Sequence, residues 1–217
     1  MRTILQVILG VAVIAAAYFF GGLSTGMWIA SRSKGMDIRK YGSGSSGATN
    51  VLRVLGRGPG VATFAGDLLK GIIAGLFGLL IGPYIGISNM AGAALCGFCA
   101  VVGHIWPAAS GFRGGKGVAT AAGVFLIVAS WQGVVSIAAA LVCIFLTRIV
   151  SIGSLLGAVL FFLLTGPWGW MNNRPWMFFF SLGVAGVVFF AHRSNIKRLL
   201  SGTENTLDFS KLFEKSR

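Results

Sequence analysis

Long apolar runs constrain this chain more than any other feature. They lie at 4–30, 61–81, 88–106, 118–147, 150–166 and 176–191. Most approach or exceed the length of about 20 apolar residues that a helix needs to cross a bilayer. Hydrophobic residues make up 55% of the chain and charged residues only 11%. The runs therefore predict an all-α, polytopic helical membrane protein, and the 217-residue length predicts a single integral-membrane domain, 1–217.

The basic residues decide the predicted number of spans. Six helices would divide the cations almost evenly between the two membrane faces. The polar segment Ser130-Trp131-Gln132-Gly133 disfavours a helix, and a break there leaves helices at 118–129 and 134–147. Seven spans then place only Arg2 and Arg174 outside, and fifteen cations in the cytoplasm. These are Arg32, Lys34, Arg39, Lys40, Arg53, Arg57, Arg113, Lys116, Arg148, Arg193, Lys197, Arg198, Lys211, Lys215 and Arg217. The positive-inside rule thus predicts about seven transmembrane helices, an outside N-terminus and a cytoplasmic C-terminus.

The first run also has features of a secretory signal peptide, including Arg2 and nearby small residues. However, it continues to Ala30, and the stronger basic cluster follows it. This charge order predicts a retained first transmembrane helix.

Composition excludes several classes of protein. A net charge of +13 would suggest nucleic acid in a soluble protein, but here the cations lie between membrane runs and favour an anionic substrate. Cys96, Cys99 and Cys143 lie in apolar runs, which argues against a disulfide framework. Cys96-x-x-Cys99 followed by His104 lacks further metal ligands. We expect no metal, no cofactor, no nucleic acid and no obligatory protein partner.

Three polar motifs interrupt the runs, at 42–53, 103–117 and 192–205. They combine glycine, which exposes backbone N–H groups, with hydroxyl and basic side chains. This combination predicts a cradle for phosphate. The predicted topology places all three motifs on the cytoplasmic face. The short helix at 118–129 rises only about 18 Å, so the second motif is expected to dip into the membrane as part of an active-site cleft.

The first motif predicts an oxyanion-lining loop that leads into a helix carrying Arg53. Its glycines match the dinucleotide-binding spacing only weakly, because neither a preceding strand nor a following acidic residue is present. The alternative is a flexible loop with a Thr49/Asn50 helix cap. In the second motif, Gly114-Gly115-Lys116-Gly117 directs backbone donors, a helix dipole and one ammonium group to one point.

The third motif places His192 and Asn195 on one helix face at the end of the last span. Its acidic residue, Glu204, is expected to brace the loop through a salt bridge. Asp67 and Lys70 lie three residues apart within the second run, so they share a helix face and can pair. We expect them to support the site. The alternative places them at a helix end, with Lys70 snorkelling to the surface.

Together the motifs resemble those of the PlsY family, the bacterial acyl-phosphate:glycerol-3-phosphate acyltransferases. The family patterns are G-S-G-N-x-G-A-T-N-x-x-R, G-H-x-x-P-x-x-x-x-F-x-G-G-K-G-V-A-T and H-R-x-N-I-x-R-x-x-x-G-x-E. All three are present in order, except that Ser45 stands where the family often has Asn. The resemblance covers essentially the whole chain.

The resemblance implies transfer of a fatty acyl group from acyl phosphate to the 1-hydroxyl of sn-glycerol 3-phosphate. The products would be lysophosphatidic acid and phosphate, in the first acylation of phospholipid biosynthesis. It also implies a multi-pass protein of the bacterial inner membrane whose active site faces the cytoplasm. Acyl phosphate is already activated, so no covalent intermediate, ATP or metal is required.

The resemblance assigns roles residue by residue. Catalytic roles fall on Ser43, His192 and Asn195. Substrate and phosphate binding falls on Gly42, Gly44, Ser45, Thr49, Asn50, Arg53, His104, Gly114, Gly115, Lys116, Gly117 and Arg193. Structural support is expected of Asp67, Lys70 and Glu204 from their own positions in the sequence, independently of the resemblance. Either His192 or a substrate phosphate oxygen takes the proton. Two other classes stay open, an anion transporter and a non-catalytic lipid-binding protein. The three motifs differ from one another, whereas transporters usually contain an internal repeat.

Overall fold

The computed structural model describes residues 2–207, with side chains from Thr3 onward. The predicted cytoplasmic cations Lys211, Lys215 and Arg217, and the side chain of Arg2, lie outside the described residues. The described part contains ten α-helices and no strand. The helices are α1 (Arg2–Gly21), α2 (Thr25–Lys34), α3 (Ala48–Leu55), α4 (Arg57–Ile81), α5 (Asn89–Ile105), α6 (Val118–Val128), α7 (Ser130–Thr147), α8 (Val150–Met171), α9 (Pro175–Ala191) and α10 (Arg193–Leu200).

Within residues 2–207, five segments are long and apolar enough to cross a membrane: α1 with α2, α4, α5, α7 and α8. A sixth results if α9 and α10, which meet at a 62° bend, count as one span. Helix α6 has 11 residues and would rise about 16 Å, well short of a bilayer core of about 30 Å. The prediction of an all-helical, multi-pass membrane protein is confirmed. The count of seven spans and the orientation of the termini stay predictions.

The run 118–147 is broken, as predicted, but the break lies at Ala129, between α6 and α7. The predicted position was wrong, because residues 130–133 form the first turn of α7. A second break was not predicted. The run 4–30, expected to be one helix, is interrupted between Gly21 and Thr25. Ser24 accepts a hydrogen bond from the Met27 N–H and caps the new helix. Ser and Gly were the only local signs of this end, because apolar residues surround it on both sides.

The core forms where α5, α6, α8 and α9 meet. Phe161 is fully buried and stacks on Phe125, with 3.4 Å between ring centroids. It also meets Phe180 edge-on at 6.0 Å. Among the candidate spans α5 is the most enclosed, whereas the outer face of α1 exposes aliphatic side chains such as Ile8 and Val11. Helix α5 therefore lies at the centre of the bundle, and α1 faces lipid.

Candidate active site

The first motif is a tight loop built around the side chain of Asn50, at the start of α3. The Asn50 amide donates to the carbonyls of Ile38, Tyr41 and Ser45, at 3.2, 3.0 and 2.8 Å. Its Oδ1 accepts the Ser43 N–H at 2.8 Å. Both ends of this buried amide are therefore occupied. These contacts favour a loop-holding role for Asn50 over the substrate contact that the resemblance implies.

Gly42 and Ser45 complete this loop. Gly42 has a left-handed backbone (φ 58°), and a β-carbon there would overlap Asn50 Oδ1. The Ser45 hydroxyl accepts the Gly47 N–H at 3.2 Å, so part of its hydrogen-bonding capacity maintains the turn. Ser43 is exposed on the loop, and Thr49 lies in the first turn of α3. Ser43 is thus the first-motif hydroxyl best placed to meet a ligand.

In the second motif, the backbone N–H groups of two glycines are used differently from the prediction. The Gly114 N–H donates to the Ile105 carbonyl, and the Gly115 N–H to the His104 carbonyl, both at 3.1 Å. These two groups close the end of α5, so the predicted use of their N–H groups in phosphate binding is wrong. The free donors are instead in the first turn of α6, which begins at Val118 as predicted. Its N–H groups have no intrahelical acceptors.

Loop-to-loop contacts join the first and second motifs. The Ser46 N–H points at the Gly114 carbonyl, 3.4 Å away. Arg39 pairs with Asp37 at 2.9 Å and donates to the Ser110 carbonyl at 2.6 Å. Its guanidinium lowers the pKa of Asp37 to about 2. Asp37 had no predicted role, and Arg39 entered only the predicted distribution of charge across the membrane, because the link from Arg39 to Ser110 spans 71 residues.

The third motif lies at the bend between α9 and α10. His192 is 1% exposed, and its Nδ1 lies 2.8 Å from the Val188 carbonyl. A carbonyl only accepts hydrogen bonds, so Nδ1 carries the proton and Nε2 of the neutral ring keeps its lone pair. Asn195, 4% exposed, lies one turn further on, and its buried Oδ1 has no protein hydrogen-bond partner. Both side chains thus offer a hydrogen-bond acceptor to a ligand.

Glu204 braces this motif. Its carboxylate accepts a hydrogen bond from the Asn195 amide at 2.7 Å and pairs with Arg198 Nε at 2.9 Å. The predicted salt bridge of Glu204 is confirmed. No carboxylate among the described residues bonds to His192. Arg193 is exposed and places its guanidinium over the Phe190 ring, 4.6 Å from the centroid. It also donates to the Phe190 carbonyl at 3.2 Å, so the structure gives it no contact with the buried pair.

The cations of all three motifs act on one another. Loss of surrounding water lowers the pKa of Lys116 to about 8, while Glu204 opposes this change and Arg198 and Arg53 add to it. Partial dehydration also lowers the pKa of Arg53, with Glu204 and Arg198 again acting in opposite directions. Lys116 lies within electrostatic reach of His192. The three motifs therefore form one site, with positive charge in excess.

Asp67, Lys70 and His104 form a buried group beside the second motif. Lys70 Nζ lies 2.9 Å from Asp67 Oδ1, which confirms the predicted pair. His104 Nδ1 lies 3.6 Å from the same oxygen. The side chains of Asp67 and Lys70 are 2% and 6% exposed, so they lie in the interior. Snorkelling of Lys70, the alternative, is wrong because its ammonium group donates inward to the Leu23 carbonyl at 3.1 Å.

A small, partly open apolar cavity of about 40 Å³ adjoins the site between α6, α7, α8 and α9. One wall begins at Val118, two residues after Lys116. Another includes Val188, whose carbonyl holds His192. Small residues such as Ala140 and Gly157 line the remainder. The arrangement combines a polar end for anions with an apolar chamber for a hydrocarbon chain. Among the described residues, no group of three His, Cys, Asp or Glu side chains is arranged to hold a metal.

Comparisons with known proteins agree with this geometry. The family model for glycerol-3-phosphate acyltransferase matches residues 11–202. The chain is 45% identical over 191 residues to the glycerol-3-phosphate acyltransferase of Thermoanaerobacter sp. (strain X514), covering 88% of this chain and 92% of the relative. It is 38% identical over 200 residues to the enzyme of that name from Clostridioides difficile (strain 630), covering 91% and 95%.

Two crystal structures are also similar. Both are of PlsY, an integral membrane glycerol 3-phosphate acyltransferase. The glycerol 3-phosphate form superposes with a TM-score of 0.81 at 33% identity, covering 94% of this chain and 98% of that one. The lysophosphatidic acid form gives a TM-score of 0.78 at 32% identity, covering 93% and 97%. The similarity therefore extends over nearly the whole chain.

Proposed function

The chain belongs to the PlsY family of integral membrane glycerol-3-phosphate acyltransferases, and from this premise we propose that its acyl donor is acyl phosphate. The products are then lysophosphatidic acid and inorganic phosphate. The observation that carries this proposal is the convergence of Arg53 and Lys116 on the site of His192. Both substrates carry phosphate groups, and a site with excess positive charge suits two anions bound side by side.

The proposed reaction is a direct acyl transfer. The 1-hydroxyl oxygen of glycerol 3-phosphate attacks the acyl carbon and forms the new ester bond. The bond between that carbon and the phosphate oxygen then breaks, and phosphate leaves with the electron pair. Arg53 and Lys116 bind the phosphate groups, so the reacting atoms are held together and charge on the leaving phosphate is balanced. Ser43 and Asn195 orient the reacting groups.

His192 positions the attacking hydroxyl in this scheme. Its Nε2 has a free lone pair because Nδ1 donates to the Val188 carbonyl. A backbone carbonyl carries no negative charge, so it stabilises an imidazolium less than a carboxylate would. We therefore assign the hydroxyl proton to a substrate phosphate oxygen. The His192 Nε2 accepts the hydrogen bond that aligns the hydroxyl.

The acyl chain occupies the apolar cavity. Most of its lining residues are apolar, and it lies between the helix that follows Lys116 and the helix that precedes His192. A chain entering between α6, α7 and α8 would place its carbonyl carbon at the polar end. We also propose one domain over residues 1–217, an inner-membrane location and a site that faces the cytoplasm, on the evidence of the shared core and of the predicted charge distribution.

The test is an assay of the purified protein in detergent with glycerol 3-phosphate and a palmitoyl donor, with no nucleotide or added metal. We expect palmitoyl phosphate to yield lysophosphatidic acid and phosphate in equal amounts. Lys116→Ala is the matched control, because it removes a binding cation and leaves the bundle intact. Efficient turnover with palmitoyl coenzyme A and none with palmitoyl phosphate would contradict the proposed donor.

A further inference from the structure

The group formed by Asp67, Lys70 and His104 connects the centre of the bundle to the loop that carries Lys116. Lys70 lies on α4 and bonds to the Leu23 carbonyl, at the break between α1 and α2. Asp67 lies one turn before Lys70 and faces both its ammonium group and the His104 ring. His104 lies in the last turn of α5. One buried carboxylate thus links three elements.

The His104 ring supports the glycine loop from beneath. A β-carbon at position 115 would overlap the ring at Nε2, so the backbone of Gly115 rests directly on the imidazole. The Gly115 N–H also donates to the His104 carbonyl. Lys116 is the next residue along the chain. Rotation of the His104 ring would therefore displace the backbone of Gly115, and with it the adjoining residue Lys116, whose ammonium group is proposed to bind phosphate.

We propose that Asp67, held by Lys70, positions the His104 ring beneath Gly115 and thereby sets the position of Lys116. His104 acts as a positioning residue in this scheme, rather than as the substrate contact that the resemblance implies. The inference rests on the proposed phosphate-binding role of Lys116. The 3.6 Å separation of His104 Nδ1 and Asp67 Oδ1 is slightly longer than a hydrogen bond. The two atoms are therefore in close polar contact without a formed hydrogen bond, and Lys70 Nζ lies 2.9 Å from the same carboxylate oxygen.

Two paired substitutions separate positioning from folding. Both remove the two buried charges together, because losing one partner alone leaves an uncompensated charge in the interior. Asp67→Asn with Lys70→Gln keeps an oxygen facing His104 Nδ1. Asp67→Leu with Lys70→Met removes that oxygen and places an apolar side chain at each position. The measurements are the Kd for glycerol 3-phosphate by calorimetry in detergent without an acyl donor, and the thermal unfolding temperature.

We expect near-unchanged affinity in the Asn/Gln variant and about tenfold or greater weakening in the Leu/Met variant. Turnover should show the same division, with KM raised in the Leu/Met variant and kcat changed less. Equal affinities for glycerol 3-phosphate in the two folded variants would overturn this inference but leave the proposed function standing. Absence of glycerol 3-phosphate binding by the unmodified protein would overturn the proposed function as well.

His104→Phe keeps the test decisive even if a paired variant fails to fold. It retains a ring beneath Gly115 and leaves the Asp67–Lys70 pair intact, but it removes the nitrogen that faces Asp67. We expect about tenfold weaker binding of glycerol 3-phosphate. Adding the Leu/Met pair to His104→Phe should cost little further affinity, since coupled residues are non-additive. If His104→Phe bound glycerol 3-phosphate as tightly as the unmodified protein does, the positioning role of His104 would be contradicted.

Discussion

His192 Nδ1 donates to the Val188 carbonyl across 2.8 Å, and Val188 also lines the apolar cavity. One residue of α9 therefore contacts both the imidazole and the proposed acyl chamber. The bend of 62° between α9 and α10 begins at this point. His192 lies at the bend and Asn195 in the first turn of α10, so the bend sets the direction in which both side chains project. In the proposed mechanism, the same turn of helix would position the hydrocarbon tail and the reacting hydroxyl.

The first prediction concerns the proton acceptor. If a substrate phosphate takes the proton, His192→Ala should lower kcat by less than about 10²-fold, or chiefly raise KM, and the acidic limb of the pH–rate profile should persist. The measurement is kcat and kcat/KM across pH for both proteins. Loss of about 10²–10⁴-fold in kcat together with loss of the acidic limb would instead identify His192 as the base.

The second prediction concerns pH and phosphate affinity. Dehydration lowers the pKa of Lys116 to about 8, and only its protonated form attracts a dianion. Affinity for glycerol 3-phosphate should therefore hold between pH 7 and about 8 and then fall toward about tenfold per pH unit. Lys116→Arg, which stays charged, is the matched control, and its affinity should not fall near pH 8. Parallel profiles for the two proteins would rule out Lys116 as the titrating group.

The third prediction concerns the acyl chamber. Ala140 lines the cavity on α7, whereas its neighbour Leu141 is exposed on the lipid-facing side. Ala140→Phe should shorten the chamber and lower kcat/KM for a palmitoyl donor relative to an octanoyl donor. Displacing two methylene groups would cost about 1.6 kcal/mol, or about 15-fold. Leu141→Phe is the control. An unchanged ratio of the two donors in Ala140→Phe would place the acyl chain elsewhere.

The fourth prediction concerns topology. Single cysteines are introduced beside Asn172, Gly44, Gly115 and Gly202 in a variant without Cys96, Cys99 and Cys143. An impermeant maleimide applied outside intact cells should label only the position beside Asn172, because the predicted charge distribution places the three motifs in the cytoplasm. Labelling after permeabilisation provides the control. External labelling beside Gly202 would be incompatible with seven spans.

Features with short-range causes were accessible from the sequence. The break near Ala129 follows from four neighbouring polar or helix-disfavouring residues. The Asp67–Lys70 pair follows from helical spacing, and the Glu204–Arg198 pair joins residues only six positions apart. In both ion pairs the partners are close along the chain, so helix geometry or a single turn brings them together.

Other features depended on contacts between distant segments. The Gly114 and Gly115 N–H groups donate hydrogen bonds to carbonyls of α5. The Asn50 amide donates hydrogen bonds to the carbonyls of Ile38, Tyr41 and Ser45. A glycine-rich sequence shows that backbone N–H groups are accessible, but it does not show which acceptors they hydrogen-bond to. The helix end at Gly21 was not predicted, because the single capping residue, Ser24, lies within an otherwise apolar run.

The sequence by itself determined the membrane class, the family and the residue types available for anion binding. Apolar run length, charge distribution and ordered motifs are properties of the linear chain, and the bilayer acts on them directly. The tertiary structure alone decided which groups face a ligand. His104 reaches Asp67 across 37 residues, and Lys116 comes within electrostatic range of Glu204 only through packing of separate helices. A site of this kind forms where distant helix ends meet, so its geometry follows from how the helices pack.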